Sequence, residues 1–216
     1  MIRLIIVEDH ELFRTGIKNI LAGIQDIEVI AETGSGEEAI SLARKLVPDV
    51  ILMDVGLPGI SGLETTERIL KAQPEIRVIV LTAHAEPPLP ARLLDIGASG
   101  YLTKGASADE LVSAVQTVYR GERYIGSEIA QQLALSLLPG TPQSPFQDLT
   151  GRELEVSLML MQGMKMASIG EVLKVSPKTV ATYKYRIYDK VGVGSEVELF
   201  RLAIRHGLIQ PEVGSG

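Results

Sequence analysis

The chain contains no cysteine and has no long hydrophobic run. Without cysteine there can be no disulfide framework and no thiolate metal site. No apolar stretch approaches the about 20 residues that a membrane-spanning helix needs. The apolar residues 4–7 lead directly into Glu8 and Asp9, which is not the pattern of a secretory signal peptide. These absences predict a soluble, cytoplasmic protein.

Charge is unevenly distributed along the 216 residues, a length that suits one large domain or two small ones. The formal net charge of -6 argues weakly against nucleic-acid binding by the chain as a whole. From Phe146 onward, however, nine Lys and Arg residues outnumber eight Asp and Glu residues, whereas residues 1–145 hold twelve basic and nineteen acidic ones. We therefore expect the two parts of the chain to meet different partners.

The stretch around Asp54 organises the first part of the chain. Residues 50–53 are an apolar run of the kind that forms a short strand buried on both faces of a parallel sheet. The run ends in the carboxylate of Asp54, and a loop rich in glycine follows. In an open parallel sheet, ligands bind in the crevice at the carboxyl ends of the strands. Asp54 is therefore a candidate nucleophile or metal ligand, with a helix N-cap as the alternative.

The first part of the chain alternates between the period of strands and the period of helices. The alternation of five strands with five helices predicts an α/β fold with a doubly wound, five-stranded parallel sheet, as in flavodoxin. The predicted strands are 3–7, 28–32, 50–53, 78–81 and 99–103, and the predicted helices are 12–21, 36–46, 62–72, 90–96 and 108–119. Right-handed crossovers place the C-terminal ends of all these strands at one edge of the sheet.

Polar side chains stand at that edge. Glu8 and Asp9 follow the first strand, Asp54 ends the third, and Thr82 and Lys104 end the fourth and fifth. Taken singly, each is an ordinary solvated strand end. Taken together, they suit phosphoryl transfer, because clustered carboxylates bind Mg²⁺ and Asp can form an aspartyl phosphate. A hydroxyl and an ammonium can bind the phosphoryl oxygens.

This arrangement resembles the receiver domain of two-component response regulators, a CheY-like fold, over residues 1–122. The resemblance implies that Asp54 is the phosphoacceptor of a sensor histidine kinase and that Thr82 and Lys104 contact the phosphoryl group. The residues implied to hold Mg²⁺ are Glu8, Asp9, Asp54 and, through its backbone carbonyl, Gly56. Tyr101 matches an aromatic switch that turns inward on activation, with a half-buried strand aromatic as the alternative.

Residues 123–145 join the two parts of the chain. The apolar spacing predicts a helix from Ser127 to residue 138. Residues 139–145 follow with three prolines, a glycine and small polar side chains, a composition typical of a linker. We therefore place the domain boundary there and assign the second domain to residues 146–211.

The second domain is predicted to be entirely helical. Thr150 and Glu153 match a capping box at the start of its first helix. After a short second helix, Ser176 and Pro177 fit the N-cap and the first position of a third helix. A short helix, a turn and a longer helix with a basic start are typical of a helix-turn-helix DNA-binding domain.

The third helix has two faces when its residues are placed 100° apart. The apolar stripe expected to face the core consists of Val180, Tyr183, Ile187 and Val191. The side chains expected to contact DNA are Lys178, Thr179, Ala181, Thr182, Lys184, Tyr185 and Arg186. The small and hydroxyl side chains suit base edges, and the basic ones suit phosphates. The alternative is a basic, solvated helix face.

Residues 149–209 resemble the helix-turn-helix domain of the LuxR/NarL/FixJ family, and the chain as a whole looks like the GacA/UvrY subgroup of that family. The stretches that carry these resemblances are 149–156, 176–180 and 198–199 for the family and 92–106, 129–135 and 184–187 for the subgroup. The subgroup implies a GacS/BarA-like hybrid sensor kinase as phosphodonor and promoters of small regulatory RNAs as targets. Phosphorylation would permit a homodimer on double-stranded DNA. The last helix, 196–206, either forms the dimer face or packs on its own domain.

Two other functions are weighed against this one. In a regulator whose receiver is never phosphorylated, DNA would be bound in the same way, but the complete set Asp9, Asp54, Thr82 and Lys104 argues against it. A Mg²⁺-dependent phosphatase that uses Asp54 would need a second Asp two residues later, where the chain has Gly56. We therefore expect a phosphoacceptor with at most self-dephosphorylation and not an enzyme.

Overall fold

The computed structural model describes residues 1–82, 94–136 and 144–206. In these ranges an α/β domain is followed by a helical domain, which confirms the predicted fold class. No helix there combines the length and the apolar character needed to cross a membrane. The predicted helix 90–96 and the predicted linker 139–145 fall largely outside the described residues.

Six parallel strands form the sheet in the described part of the first domain, in the order β2-β1-β3-β4-β5-β6. The strands are β1 Ile2–Val7, β2 Ile27–Thr33, β3 Val50–Asp54, β4 Arg77–Thr82, β5 Gly100–Thr103 and β6 Tyr124–Ile125. The predicted number of five is corrected to six, because a two-residue strand is too short to show a period. β6 is held to β5 by the N–H of Tyr124, which donates to Ser99 O over 3.0 Å, and by the N–H of Gly126, which donates to Tyr101 O over 2.9 Å.

Helices cover both faces of this sheet. They are α1 Glu11–Ala22, α2 Gly36–Leu46, α3 Gly62–Ala72 and α4 Ala108–Tyr119, and α5 Ser127–Ser136 follows β6. Alternate residues of β1 enter two separate apolar clusters, with Ile5 and Val7 in one and Leu4 and Ile6 in the other. All five residues of β3 are buried, as expected for an interior strand.

The second domain is helical throughout its described residues. A short 3-10 helix, Pro145–Asp148, precedes α6 Gly151–Met161, α7 Met166–Val172, α8 Pro177–Val191 and α9 Glu196–Arg205. Its core is built from buried side chains of all four α-helices, among them Leu154, Ile169, Ile187 and Leu199.

Local sequence starts most of these helices. The side chains of five serines accept a hydrogen bond from the backbone N–H three residues on; they are Ser35, Ser61, Ser107, Ser176 and Ser195. The predicted capping box is present: Thr150 caps α6, and its own N–H donates to Glu153 Oε2 over 2.8 Å. Each such cap stabilises its helix by about 1 kcal/mol. By contrast, Lys165 starts α7 without a side-chain cap, so that helix depends on packing.

The strand register brings the functional residues level with one another. Val7 is paired with Met53, Asp54 with Leu81, and Thr82 with Thr103. The C-terminal ends of β1, β3, β4 and β5 therefore meet at one edge, as the sequence predicts.

Candidate functional site

A buried cluster of charges lies at the carboxyl edge of the sheet. Lys104 follows β5, and its Nζ lies 3.0 Å from Asp54 Oδ2 and 2.8 Å from Glu8 Oε2. The Glu8 side chain is fully buried and that of Asp54 is 4% exposed. Three predicted site residues from the ends of three strands are thus brought into direct contact.

The electrostatics of this cluster favour a further cation. Burial raises the pKa of the Asp54 carboxyl, and the nearby Glu8 carboxylate raises it further against the opposing charge of Lys104. Burial alone would lower the pKa of Lys104, but its hydrogen bond to Glu8 and the charge of Asp54 raise that pKa overall. Lys104 therefore stays charged, and it has to neutralise two carboxylates at once.

His10 belongs to the same cluster, although the sequence analysis does not include it among the candidate site residues. Its Nδ1 lies 3.0 Å from Glu8 Oε1 and 2.9 Å from Asp9 Oδ1. One ligand atom each from Glu8, Asp9, His10 and Asp54 falls within 4.8 Å of the others. The three carboxylates are the oxygen donors that Mg²⁺ prefers, whereas imidazole suits softer metals. The donor set therefore fits Mg²⁺, with His10 beside it. The sequence signal that could have identified His10 is its position directly after Glu8 and Asp9.

Gly56 and Thr82, two further predicted residues of the receiver site, also lie at this edge. The N–H of Gly56, an exposed residue, donates to Asp54 Oδ1 over 3.2 Å. Thr82 is buried and lines the same cavity as Asp54. Tyr101 lies in the core and is 1% exposed, so it is a fully buried strand aromatic; its role as a switch stays a prediction.

In the helical domain, α8 shows the two faces that its sequence predicts. Val180, Ile187 and Val191 are buried and Tyr183 is half-buried, which confirms the core stripe. On the other face, Lys178, Thr182, Tyr185 and Arg186 are exposed, and Thr179 and Ala181 are partly exposed. The candidate DNA-contacting face is therefore accessible.

Lys184 differs from Lys178 and Arg186, the other basic residues expected to contact DNA, because it is held in an ion pair. Its Nζ lies 2.5 Å from Glu196 Oε1 at the start of α9 and 5.6 Å from the ring centre of Tyr188. The hydrogen bond to Glu196 is the main cause of the raised pKa of Lys184. A contact from Lys184 to a DNA phosphate would require this ion pair to break.

Both halves of the chain match known families. Residues 4–116 match the response regulator receiver domain, and residues 147–203 match the luxR family of bacterial regulatory proteins. The chain belongs to the LuxR-type response regulators. This confirms the family that the sequence motifs indicate.

Relatives of this response regulator match along nearly its whole length. The response regulator GacA of Pseudomonas aeruginosa is 49% identical over 210 residues, which cover 97% of this chain and 98% of that protein. The response regulator UvrY of Escherichia coli (strain K12) is 48% identical over 213 residues and 98% of each chain.

Solved structures share its architecture. A LuxR-family response regulator from Aurantimonas sp. SI85-9A1 is 32% identical, covers 63% of this chain and 97% of its own, and has a TM-score of 0.61. RcsB from Salmonella enterica serovar Typhimurium, bound to promoter rprA, is 23% identical with a TM-score of 0.68, over 93% of this chain and 97% of its own. The second likeness concerns the fold alone.

The two domains of the response regulator meet at the phosphoacceptor candidate. A cavity of about 450 Å³ is bordered by Asp54 and Thr82 of the receiver and by Leu154 and Glu155 of α6. Sequence reasoning missed this contact, because a contact between distant segments leaves no periodic signal in either one. The contact leaves the outer face of α8 exposed.

Proposed function

We propose that this response regulator is a transcription factor in which phosphorylation of Asp54 gates dimerisation and sequence-specific DNA binding. The observation that carries the proposal is the Asp54 carboxylate at the end of β3, with the Lys104 ammonium 3.0 Å away. A nucleophile and a fixed positive charge are thus held together where strand ends bind ligands. The proposed phosphodonor is a sensor histidine kinase of the GacS/BarA type.

The residues of the cluster divide the phosphoryl transfer between them. An oxygen of Asp54 attacks the phosphorus of the donor's phosphohistidine; the P–O bond forms, the P–N bond breaks, and the imidazole leaves. Lys104 then binds one phosphoryl oxygen, and the hydroxyl of Thr82 donates to another. Tyr101 is the proposed switch aromatic that responds to this engagement of Thr82.

Mg²⁺ is the proposed cofactor of the transfer. The residues that would hold it are Glu8, Asp9, Asp54 and, through its carbonyl, Gly56. When bound, Mg²⁺ supplies positive charge that offsets the negative charge of the phosphoryl group. The proposal of Mg²⁺ is supported by the raised pKa of Asp54, which is caused by burial and by the Glu8 carboxylate. The raised pKa indicates that the cluster has too little positive charge.

DNA binding is assigned to α8. The exposed Lys178 and Arg186 suit phosphates, and Ala181 and Thr182 suit base edges in the major groove. Promoters of small regulatory RNAs are the proposed targets, by the resemblance to the GacA/UvrY subgroup, and the cytoplasm is the proposed location because the DNA lies there.

A homodimer through α9 is proposed for the active form. The exposed apolar side chains Val197 and Phe200, 62% and 40% exposed, support this face. The proposed domains are the receiver at 1–122, the joining segment at 123–145 and the DNA-binding domain at 146–211. The matched ranges 4–116 and 147–203 are compatible with these boundaries.

DNA binding without phosphorylation is a second candidate function. It is supported by the exposed outer face of α8 in the unmodified chain. A phosphatase acting on external substrates is not supported, because Gly56 stands where a second Asp would supply the proton. Any turnover is therefore limited to self-dephosphorylation of Asp54.

Intact-protein mass after incubation with acetyl phosphate and Mg²⁺ tests the proposal, on wild type and on Asp54→Ala. We expect a phosphoryl adduct on wild type and none on the variant, together with tighter DNA binding and dimerisation of the adduct. An adduct on both proteins would rule out Asp54 as the acceptor. Equal DNA binding with and without the adduct would favour the second candidate function.

A further inference from the structure

The first helix of the DNA-binding domain lies directly on the receiver. α6 packs so closely on α3 that a Cβ atom placed on Gly151 would overlap Cδ2 of Leu63. Next to this contact, the N–H of Gly59 donates to the carbonyl of Val172, at the end of α7, over 3.0 Å. The loop after β3 and the start of α3 thus form one docking surface for α6 and α7.

The cavity under α6 has two chemically different walls. The receiver contributes the phosphoacceptor Asp54 together with Thr82 and Lys104. The lining residues from α6 are Gly151, Leu154, Glu155, Leu158, Met159 and Gln162. Among those six, Glu155 is the ionisable residue. A phosphoryl group on Asp54 would therefore face a largely apolar wall that carries one carboxylate.

Glu155 is poorly placed to tolerate more negative charge. Its side chain is 11% exposed, and Arg152 Nη1 lies 2.8 Å from its Oε2. Arg152 also binds the end of α7, because its Nη2 donates a hydrogen bond to the carbonyl of Leu173 over 2.9 Å. The other oxygen, Glu155 Oε1, is buried and has no hydrogen-bond partner among the described residues. Burial outweighs Arg152 and raises the pKa of Glu155 to about 7.

We propose that α6 is a lid on the phosphorylation site and that Glu155 makes this lid sensitive to the phosphoryl group. Docked α6 keeps phosphodonors away from Asp54. Once α6 has moved away and Asp54 is phosphorylated, the nearly two negative charges of the phosphoryl group repel Glu155 and oppose redocking. The inference rests on the proposed phosphorylation of Asp54. Because the outer face of α8 stays exposed while α6 is docked, the lid controls access to Asp54 and not access to DNA.

A disulfide can lock the lid, since the chain has no cysteine of its own. A Cβ atom at position 151 would lie 3.4 Å from the Cβ of Leu63, close to the about 3.5–4.5 Å spacing of disulfides. In the double variant Leu63→Cys/Gly151→Cys, we expect the oxidised protein to gain no phosphoryl adduct from acetyl phosphate and Mg²⁺. The same protein after reduction, and the single variant Leu63→Cys, should gain the adduct as wild type does.

The outcomes separate this inference from the proposed function. Equal phosphorylation of the oxidised and reduced forms would overturn the lid, and so would failure of the cysteine pair to form a disulfide. Absence of an adduct on wild type and on the reduced variant, with acetyl phosphate and with a kinase donor, would overturn the proposed function and the lid with it.

The role of Glu155 is tested in the reduced double-cysteine protein. Its rate of disulfide formation under a mild oxidant reports how often α6 is docked. We expect phosphorylation to lower this rate about fivefold or more, a typical size for coupling between two sites. Adding Glu155→Gln should reduce the effect to less than about twofold, whereas adding Glu171→Gln, at an exposed position of α7, should leave it intact. The same decrease in both backgrounds would overturn the assignment of Glu155 as the sensing residue.

Discussion

The ammonium of Lys104 lies 3.0 Å from the carboxylate of Asp54, inside a cluster in which Glu8 competes for the same cation. One partly buried positive charge therefore stabilises two buried negative charges. Its loss would leave both carboxylates without a partner of opposite sign among these three residues, and the pair would repel in a medium of low polarity.

Lys104→Ala is expected to destabilise the receiver by about 3 kcal/mol without Mg²⁺, because breaking a buried ion pair leaves uncompensated charge. Urea unfolding at neutral pH measures this change. The matched control is Lys71→Ala, which removes a surface lysine that pairs with Glu67 and is 74% exposed. That control should cost less than about 1 kcal/mol. Equal losses of stability in the two variants would contradict the role of Lys104 in neutralising the buried carboxylates.

Added Mg²⁺ should raise the thermal unfolding temperature of wild type. A ligand that binds the folded state at 100 times its dissociation constant stabilises by about 2.7 kcal/mol, which is several degrees for a chain of this size. Asp9→Asn should reduce the shift, because one proposed ligand is lost. Asp26→Asn, at an exposed position before β2, serves as the control and should keep the full shift. A full shift in Asp9→Asn would exclude Asp9 from the metal site.

Glu155 should make stability depend on pH. Its pKa is about 7 in the folded protein, above the ordinary value of 4.5, and the nearby charges are Arg152 and Glu64. The contribution of the neutral carboxyl to the free energy of unfolding is therefore fully present below about pH 4.5 and is lost as the pH rises through about 7. Glu155→Gln stays neutral, so we expect it to gain about 1–3 kcal/mol on wild type between pH 5 and pH 8.

The comparison is made by urea unfolding of both proteins across that pH range. Glu171→Gln is again the control, and its difference from wild type should not change with pH. A constant difference between Glu155→Gln and wild type would show that the carboxylate is ionised at every pH studied, which contradicts the predicted dependence.

Two lysines of α8 should differ in their effect on DNA affinity. Lys178 is exposed, whereas the Nζ of Lys184 lies 2.5 Å from Glu196. Lys178→Ala should weaken binding to all sequences and reduce the slope of log affinity against log salt by about 1. Lys184→Ala should have a smaller effect, because its ion pair must break first. Fluorescence anisotropy at several salt concentrations measures both; a larger effect of Lys184→Ala would show that the pair opens readily on DNA.

Thr182→Ala should change sequence preference more than general affinity. The Thr182 side chain is exposed on the outer face of α8, and its hydroxyl donates to Lys178 O over 3.1 Å. A lost base contact typically changes discrimination between bases by about 1–3 kcal/mol. Selection from a random DNA pool, carried out with wild type and variant, measures the preference. Identical selected sequences would place Thr182 outside the base-reading set.

The amino-acid sequence by itself determined where most of the described helices and strands begin and end. Thr150 with Glu153, and Ser176 with Thr179, start α6 and α8 through hydrogen bonds that span only three residues. The apolar run of β3 specifies an interior strand in the same local way. Because parallel strands end at a common edge, the meeting of Asp54 with other strand-end residues also followed from the order of the elements.

Only the tertiary structure decided which partners these residues have. The pairing of Lys184 with Glu196 and the position of Glu155 over the phosphoacceptor edge arise from segments that approach through packing. β6 likewise forms only because its backbone pairs with that of β5. Such contacts depend on how whole helices and domains fit together, and they leave no spacing or composition in the sequence from which they could be read.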